Sequence, residues 1–67
     1  MRLSARNQIA GTVVAIERGV TTTIVRLDCD GTPITASITN AAAEDLGLAV
    51  GQRATAIIKA SDVMIGV

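Results

Sequence analysis

Sixty-seven residues, with six Lys/Arg balanced by six Asp/Glu, suffice for one domain and no more. No histidine and a single cysteine, Cys29, exclude an intrachain disulfide and the usual Cys/His zinc site, which leaves oligomerisation to stabilise so small a core. The zero net charge also excludes a broad basic surface for nucleic-acid phosphate, so any anion site has to be local and built from a few aimed groups.

The opening residues, MRLSARNQ, carry no apolar leader core, and no apolar stretch approaches the length of a membrane span. With one unpaired cysteine, the chain reads as cytoplasmic. Within this opening, SARNQ (Ser4–Gln8) places a hydroxyl, a guanidinium and two amides directly before an apolar run. Ser4 and Arg6 are two apart and point to one side of an extended segment.

Arg6 to Glu17 has a period near two and predicts a first strand; Glu17–Val20 is a turn around Gly19. Val20 to Cys29 is dense in β-branched residues. It puts Thr21, Thr23, Val25, Leu27 and Cys29 on one face, and Thr22, Ile24, Arg26 and Asp28 on the other. Asp30-Gly31 is a strong hairpin signal, and Thr32–Thr39 follows as the third strand, with Pro33 suited to a strand start or an edge.

The period then changes. Thr39 or Asn40 caps a short helix that ends at Gly47, and Gly51 marks a turn. Arg53–Ala60 and Asp62–Val67 are expected as strands four and five. The order β-β-β-α-β-β, all-β with one short helix, predicts a five-stranded Greek-key barrel of the OB type over residues 1–67. The last strand is apolar on both faces, and a barrel covers only one of them. The other is expected to meet a neighbouring subunit.

No catalytic constellation is present, and the chain reads as a non-enzyme. Cys29, between Asp28 and Asp30, is disfavoured as a thiolate and weighs more as a small buried hydrophobe; the two aspartates read as turn residues. A single-stranded nucleic-acid-binding OB module is the alternative function, but it lacks the aromatic platforms and basic groove that such modules use. A purely structural assembly module is a third. The remaining feature is a set of donors: Ser4 and Arg6, the Lys59–Ser61 segment, and Thr39 with the amides that follow it. They suit a tetrahedral oxyanion. Taken singly, each also reads as an ordinary surface or capping residue.

The stretches SARNQIAGTVVAIERGVTT and KASDVMIGV closely resemble the molbindin, or Mop, family of small molybdate-binding proteins, and the resemblance runs from Met1 to Val67. It implies an OB-type barrel assembled as a hexamer, a trimer of dimers, that binds molybdate or tungstate at subunit interfaces. By that resemblance one subunit supplies Ser4 and Arg6. Another supplies Thr39, Ala42, Ala43, Lys59, Ala60 and Ser61. Some relatives carry serine where this chain has Ala42, so only a backbone amide is on offer there. A second type of site near the three-fold axes would use backbone around Arg18, Gly19 and Val20. No catalytic cofactor and no cation-ligating residues are implied. The role implied is storage, buffering or delivery of the oxyanion, with neither nucleic acid nor membrane as partner.

Overall fold

The alternation of the second strand organises the structure. In the computed structural model, which describes residues 2–67, Thr23, Val25, Leu27 and Cys29 are all buried. With Val13 from the neighbouring strand, the three apolar members form the core. Four antiparallel strands run β1 (Asn7–Arg18), β2 (Thr22–Cys29), β3 (Thr32–Thr39) and β4 (Arg53–Ile58), with the helix α1 (Asn40–Leu46) between β3 and β4. Their order in the sheet is β3-β2-β1-β4. Pro33 therefore lies on an edge strand, where its missing N–H removes no ladder bond on the open side.

β1 is long enough to pair with two partners. Its first half, Asn7 to Thr12, pairs with β4, and its stretch from Thr12 to Arg18 pairs with β2. The β2 register jumps between Val13, opposite Leu27, and Ala15, opposite Arg26, so Val14 is the extra residue of a β-bulge. The bulge reverses the inward parity. Gly11 and Val13 face the core before it, and Ile16, opposite the buried Val25, packs on the core after it. The backbone at Val13 is held from the other side as well: its N–H donates to Gln52 O at 2.9 Å and its carbonyl accepts from Gly51 N at 2.8 Å.

Two close approaches depend on backbone freedom. At the β2–β3 hairpin, Asp30 and Gly31 have φ of 52° and 88°, the double left-handed turn that the Asp-Gly pair favours. Gly31 N donates to Asp28 Oδ1 at 2.9 Å and closes it. At Gly11 the problem is space. A Cβ there would sit 2.6 Å from Cys29 Sγ and 2.7 Å from Asp28 O.

The helix has the predicted ends. Thr39 is the N-cap, its Oγ1 accepting from Ala42 N at 3.0 Å. Gly47 takes the left-handed conformation, with Gly47 N donating to Glu44 O and Leu48 N to Ala43 O in a Schellman arrangement.

The fifth strand does not form. Strand four stops at Ile58 rather than Ala60, and Ala60–Asp62 is a single 3-10 turn. Asp62 N donates to Lys59 O and Val63 N to Ala60 O, local bonds that turn the chain off the β4 edge. Residues 63–67 are exposed and pair with no strand among the described residues. The sheet is thus an open barrel of four strands, with a gap between β3 and β4. An apolar groove of about 480 Å³ occupies the interior side, lined by Val25, Leu27, Ile34, Ile38, Leu48 and Ile58 among others. No residue of β3, β4 or α1 is fully buried, since the wall that would cover them is missing.

Candidate oxyanion-binding site

The donors singled out in the sequence fall into two groups at opposite ends of β1. At its amino end, Ser4 and Arg6 are exposed on either side of half-buried Ala5, in a bent lead-in to the strand. Asn7 is paired with Ile58, and Asn7 Nδ2 also donates to Ile58 O at 3.1 Å. Continuing that antiparallel register one step outward brings Arg6 and Lys59 to the same end of one chain's ladder. The 3-10 turn that follows holds Ala60 and Ser61 there, both exposed.

These cations differ from the others in their partners. Arg18 pairs with Glu44 at 2.6 Å, Arg26 with Glu17 at 3.2 Å, and Arg53 donates to Thr12 Oγ1 at 3.0 Å. Arg6 and Lys59, like Arg2, have no ion pair or side-chain hydrogen bond among the described residues. Their donors face solvent, available to an outside acceptor.

At the carboxyl end of β1 lie Thr39 and the first turn of α1. Thr39 is exposed, and while its oxygen accepts from Ala42 N its hydroxyl proton is left to donate elsewhere. The Ala42 amide, expected as a contact, is already taken by that cap. Asn40 N donates to Thr21 O, so Ala41 is the first-turn residue whose amide has no acceptor among the described residues. Sequence reasoning passed over Ala41, because which amide the cap occupies depends on choosing Thr39 over Asn40 as N-cap. Ala43 lies one residue deeper in the helix.

The second candidate set sits at this same end. Of its three residues, Arg18 is engaged by Glu44, and Gly19 N donates to Thr22 O at 2.7 Å. Val20 is fully exposed at the tip. Asn40 ties this turn to the helix: Nδ2 donates to both Gly19 O and Val20 O at 3.1 Å, and Oδ1 accepts from the buried Thr23 hydroxyl at 2.6 Å. The sequence offers no signal for Asn40 in this role, since its partners lie about twenty residues away.

β1, 12 residues long, separates the two groups: Arg6 and Lys59 flank its first pair, Asn7–Ile58, whereas Thr39 pairs with Thr22, beside the Arg18–Thr23 pair at its other end. One chain therefore cannot close Ser4, Arg6 and Lys59 around the same ion as Thr39. No helix among the described residues is long and apolar enough to cross a membrane. No group of three or more His, Cys, Asp or Glu among them could hold a metal ion.

A small open barrel with exposed, unpaired donors at both ends of one strand is the arrangement of a binding module. The chain belongs to the TOBE domain family, whose model matches residues 3–65. It is 48% identical over 68 residues to a probable molybdenum-pterin-binding protein of Haemophilus influenzae, covering 100% of this chain and 99% of that one. Among solved structures, MopII from Clostridium pasteurianum superposes with a TM-score of 0.92 at 42% identity, covering 98% of this chain and 100% of that one. The cytoplasmic molybdate-binding protein ModG, in a form with molybdate bound, superposes with a TM-score of 0.95 at 48% identity; the match spans all of this chain and 48% of ModG.

Proposed function

We propose that this protein binds molybdate or tungstate at the interfaces of a cytoplasmic homo-oligomer and serves to store, buffer or deliver the oxyanion, without catalysis. The observation that carries the reading is the pair Arg6 and Lys59. Both are brought to one end of the β1–β4 ladder, and neither is neutralised by a carboxylate in a chain of zero net charge. Full-length similarity to a molybdenum-pterin-binding protein, and similarity to about half of molybdate-bound ModG, support the choice of ion.

The geometry favours a particular division of labour. Ser4, Arg6, Lys59, Ala60 and Ser61 come from one subunit, and Thr39 with the start of α1 comes from another, because β1 holds the two groups apart within a chain. This differs from the division implied by the resemblance, which separates Arg6 from Lys59. Arg6 supplies a planar fork of donors and Lys59 a point charge. Molybdate at neutral pH is a dianion without a proton, so a site made of donors suits it. Partly protonated phosphate would seek an acceptor as well. Sulfate also lacks a proton and is discriminated by its smaller size, whereas tungstate is nearly the size of molybdate.

Assembly is supported by exposed surface. The chain leaves 5054 Å² accessible, whereas a monomer of 6.8 kDa is expected to expose about 4,000 Å². Its apolar tail, Val63 to Val67, is unpartnered, and so is the groove between β3 and β4. A second copy offers both complements: the tail of one chain fits the groove of the next as the strand missing from its barrel. A hexamer built as a trimer of dimers is the assembly we propose. Titration calorimetry with molybdate, sulfate and phosphate on the purified oligomer tests the function. Tight binding of molybdate over the other two is expected, and equal weak binding of all three would refute it.

A further inference from the structure

We propose that Asn40 is a positioning residue that sets how well the site tells molybdate from a smaller tetrahedral dianion. The inference rests on the oxyanion reading above and deepens it. α1 has seven residues and none of them is buried, so packing does little to fix its direction. Its first residue is instead held at four points. Asn40 N donates to Thr21 O at 3.1 Å. Both Nδ2 protons are used, one on Gly19 O and one on Val20 O, and Oδ1 accepts from Thr23 Oγ1 at 2.6 Å. The last contact is anchored in the core, since Thr23 is 2% exposed. Through Thr23 the helix start is tied to the middle layer of the sheet, and through the turn carbonyls to the end of β1.

Thr39, with its hydroxyl proton, immediately precedes this anchor, and Ala41, whose amide has no acceptor among the described residues, immediately follows it. Their distance from the Arg6–Lys59 group of another subunit is therefore set by where Asn40 is held. Discrimination by ion size needs that distance fixed, because a loose donor set closes equally well on a smaller ion. Asn40 touches no ion in this scheme; it acts through the residues beside it.

The test uses Asn40→Ala and Asn40→Ser in the full chain. Serine keeps a helix-start residue without charge but is too short to reach the turn carbonyls, and it covers the case in which alanine fails to fold. Affinities for molybdate and for sulfate are measured by calorimetry on the oligomer, below the melting temperature of each variant. The expected result is a molybdate affinity about ten-fold weaker, the loss of roughly one charge-assisted hydrogen bond, together with a smaller molybdate-to-sulfate ratio. A purely structural role would lower the melting temperature and leave that ratio unchanged, and this outcome overturns the proposal. If wild type itself binds no molybdate, the oxyanion reading has failed. If wild type binds and Arg6→Ala does not, while Asn40 variants match wild type in affinity and ratio, only the role of Asn40 has failed.

Discussion

The Asn7–Ile58 pair, with Asn7 Nδ2 donating to Ile58 O at 3.1 Å, is the last rung of the β1–β4 ladder, and Arg6 and Lys59 flank it on the same end of the same chain. Removing either charge takes a donor from the proposed dianion site, and a charge-assisted hydrogen bond contributes roughly 1.5–3 kcal/mol. Arg6→Ala and Lys59→Ala are each expected to weaken molybdate binding ten-fold or more, on the same principle, with the circular dichroism spectrum unchanged. Arg6→Lys should recover only part of the loss, because an ammonium lacks the planar fork.

The placement of these residues makes a complementation experiment decisive. Mixed oligomers of Arg6→Ala and Lys59→Ala chains should contain no intact site, since every subunit lacks one member of the pair. Mixed oligomers of Arg6→Ala and Thr39→Ala chains should recover a fraction of tight sites. Recovery in the first mixture, with co-assembly verified, would show that Arg6 and Lys59 serve one site from different subunits.

Truncation after Asp62 should dissociate the assembly. It removes Val63, Met64, Ile65 and Val67, all exposed in the single chain. Sedimentation equilibrium should show a defined oligomer for the full chain and smaller species for the truncated one. A full chain that is monomeric and folded at micromolar concentration would contradict the assembly.

Gly11→Ala should destabilise the fold without touching the site. The added methyl meets Cys29 Sγ at 2.6 Å and Asp28 O at 2.7 Å, and one of the two is backbone. Overpacking of this kind costs about 1–3 kcal/mol, readable as a lower midpoint in denaturant at unchanged slope.

Single-stranded oligonucleotides should bind poorly at physiological salt, given no aromatic residue and no net charge. Fluorescence anisotropy showing a sub-micromolar dissociation constant would restore the nucleic-acid reading.

Where local chemistry decides structure, the sequence was readable. The Thr23–Cys29 alternation, the Asp30-Gly31 turn, the Thr39 cap and the Gly47 terminus all appear as expected. Three features resist such reading because their causes are not local. Val14 looks like one more strand residue until β2 imposes its register. Asp62–Val67 has the composition of a strand, but a strand also needs an edge to pair with, and the Ala60–Asp62 turn leads away from the edge of β4. Asn40 looks like a spare cap until the chain brings Gly19, Val20 and Thr23 to it. For the candidate donors, the sequence names residue types but not their grouping: the division into an Arg6–Lys59 end and a Thr39 end follows from the strand registers.

The bulge at Val14 makes β1 unusual in how it would respond to losing a residue. Deleting almost any other position along the strand moves every later side chain to the opposite face, expelling Ile16 from the interior or exchanging Val13 with its neighbour. Deleting Val14 makes the Val13–Leu27 and Ala15–Arg26 pairs consecutive and leaves every remaining side chain facing as before. The shortened strand would keep its inside and outside and lose only its bend. Homologous chains one residue shorter in this strand can therefore be aligned by placing the gap at Val14, with no change in which residues form the core.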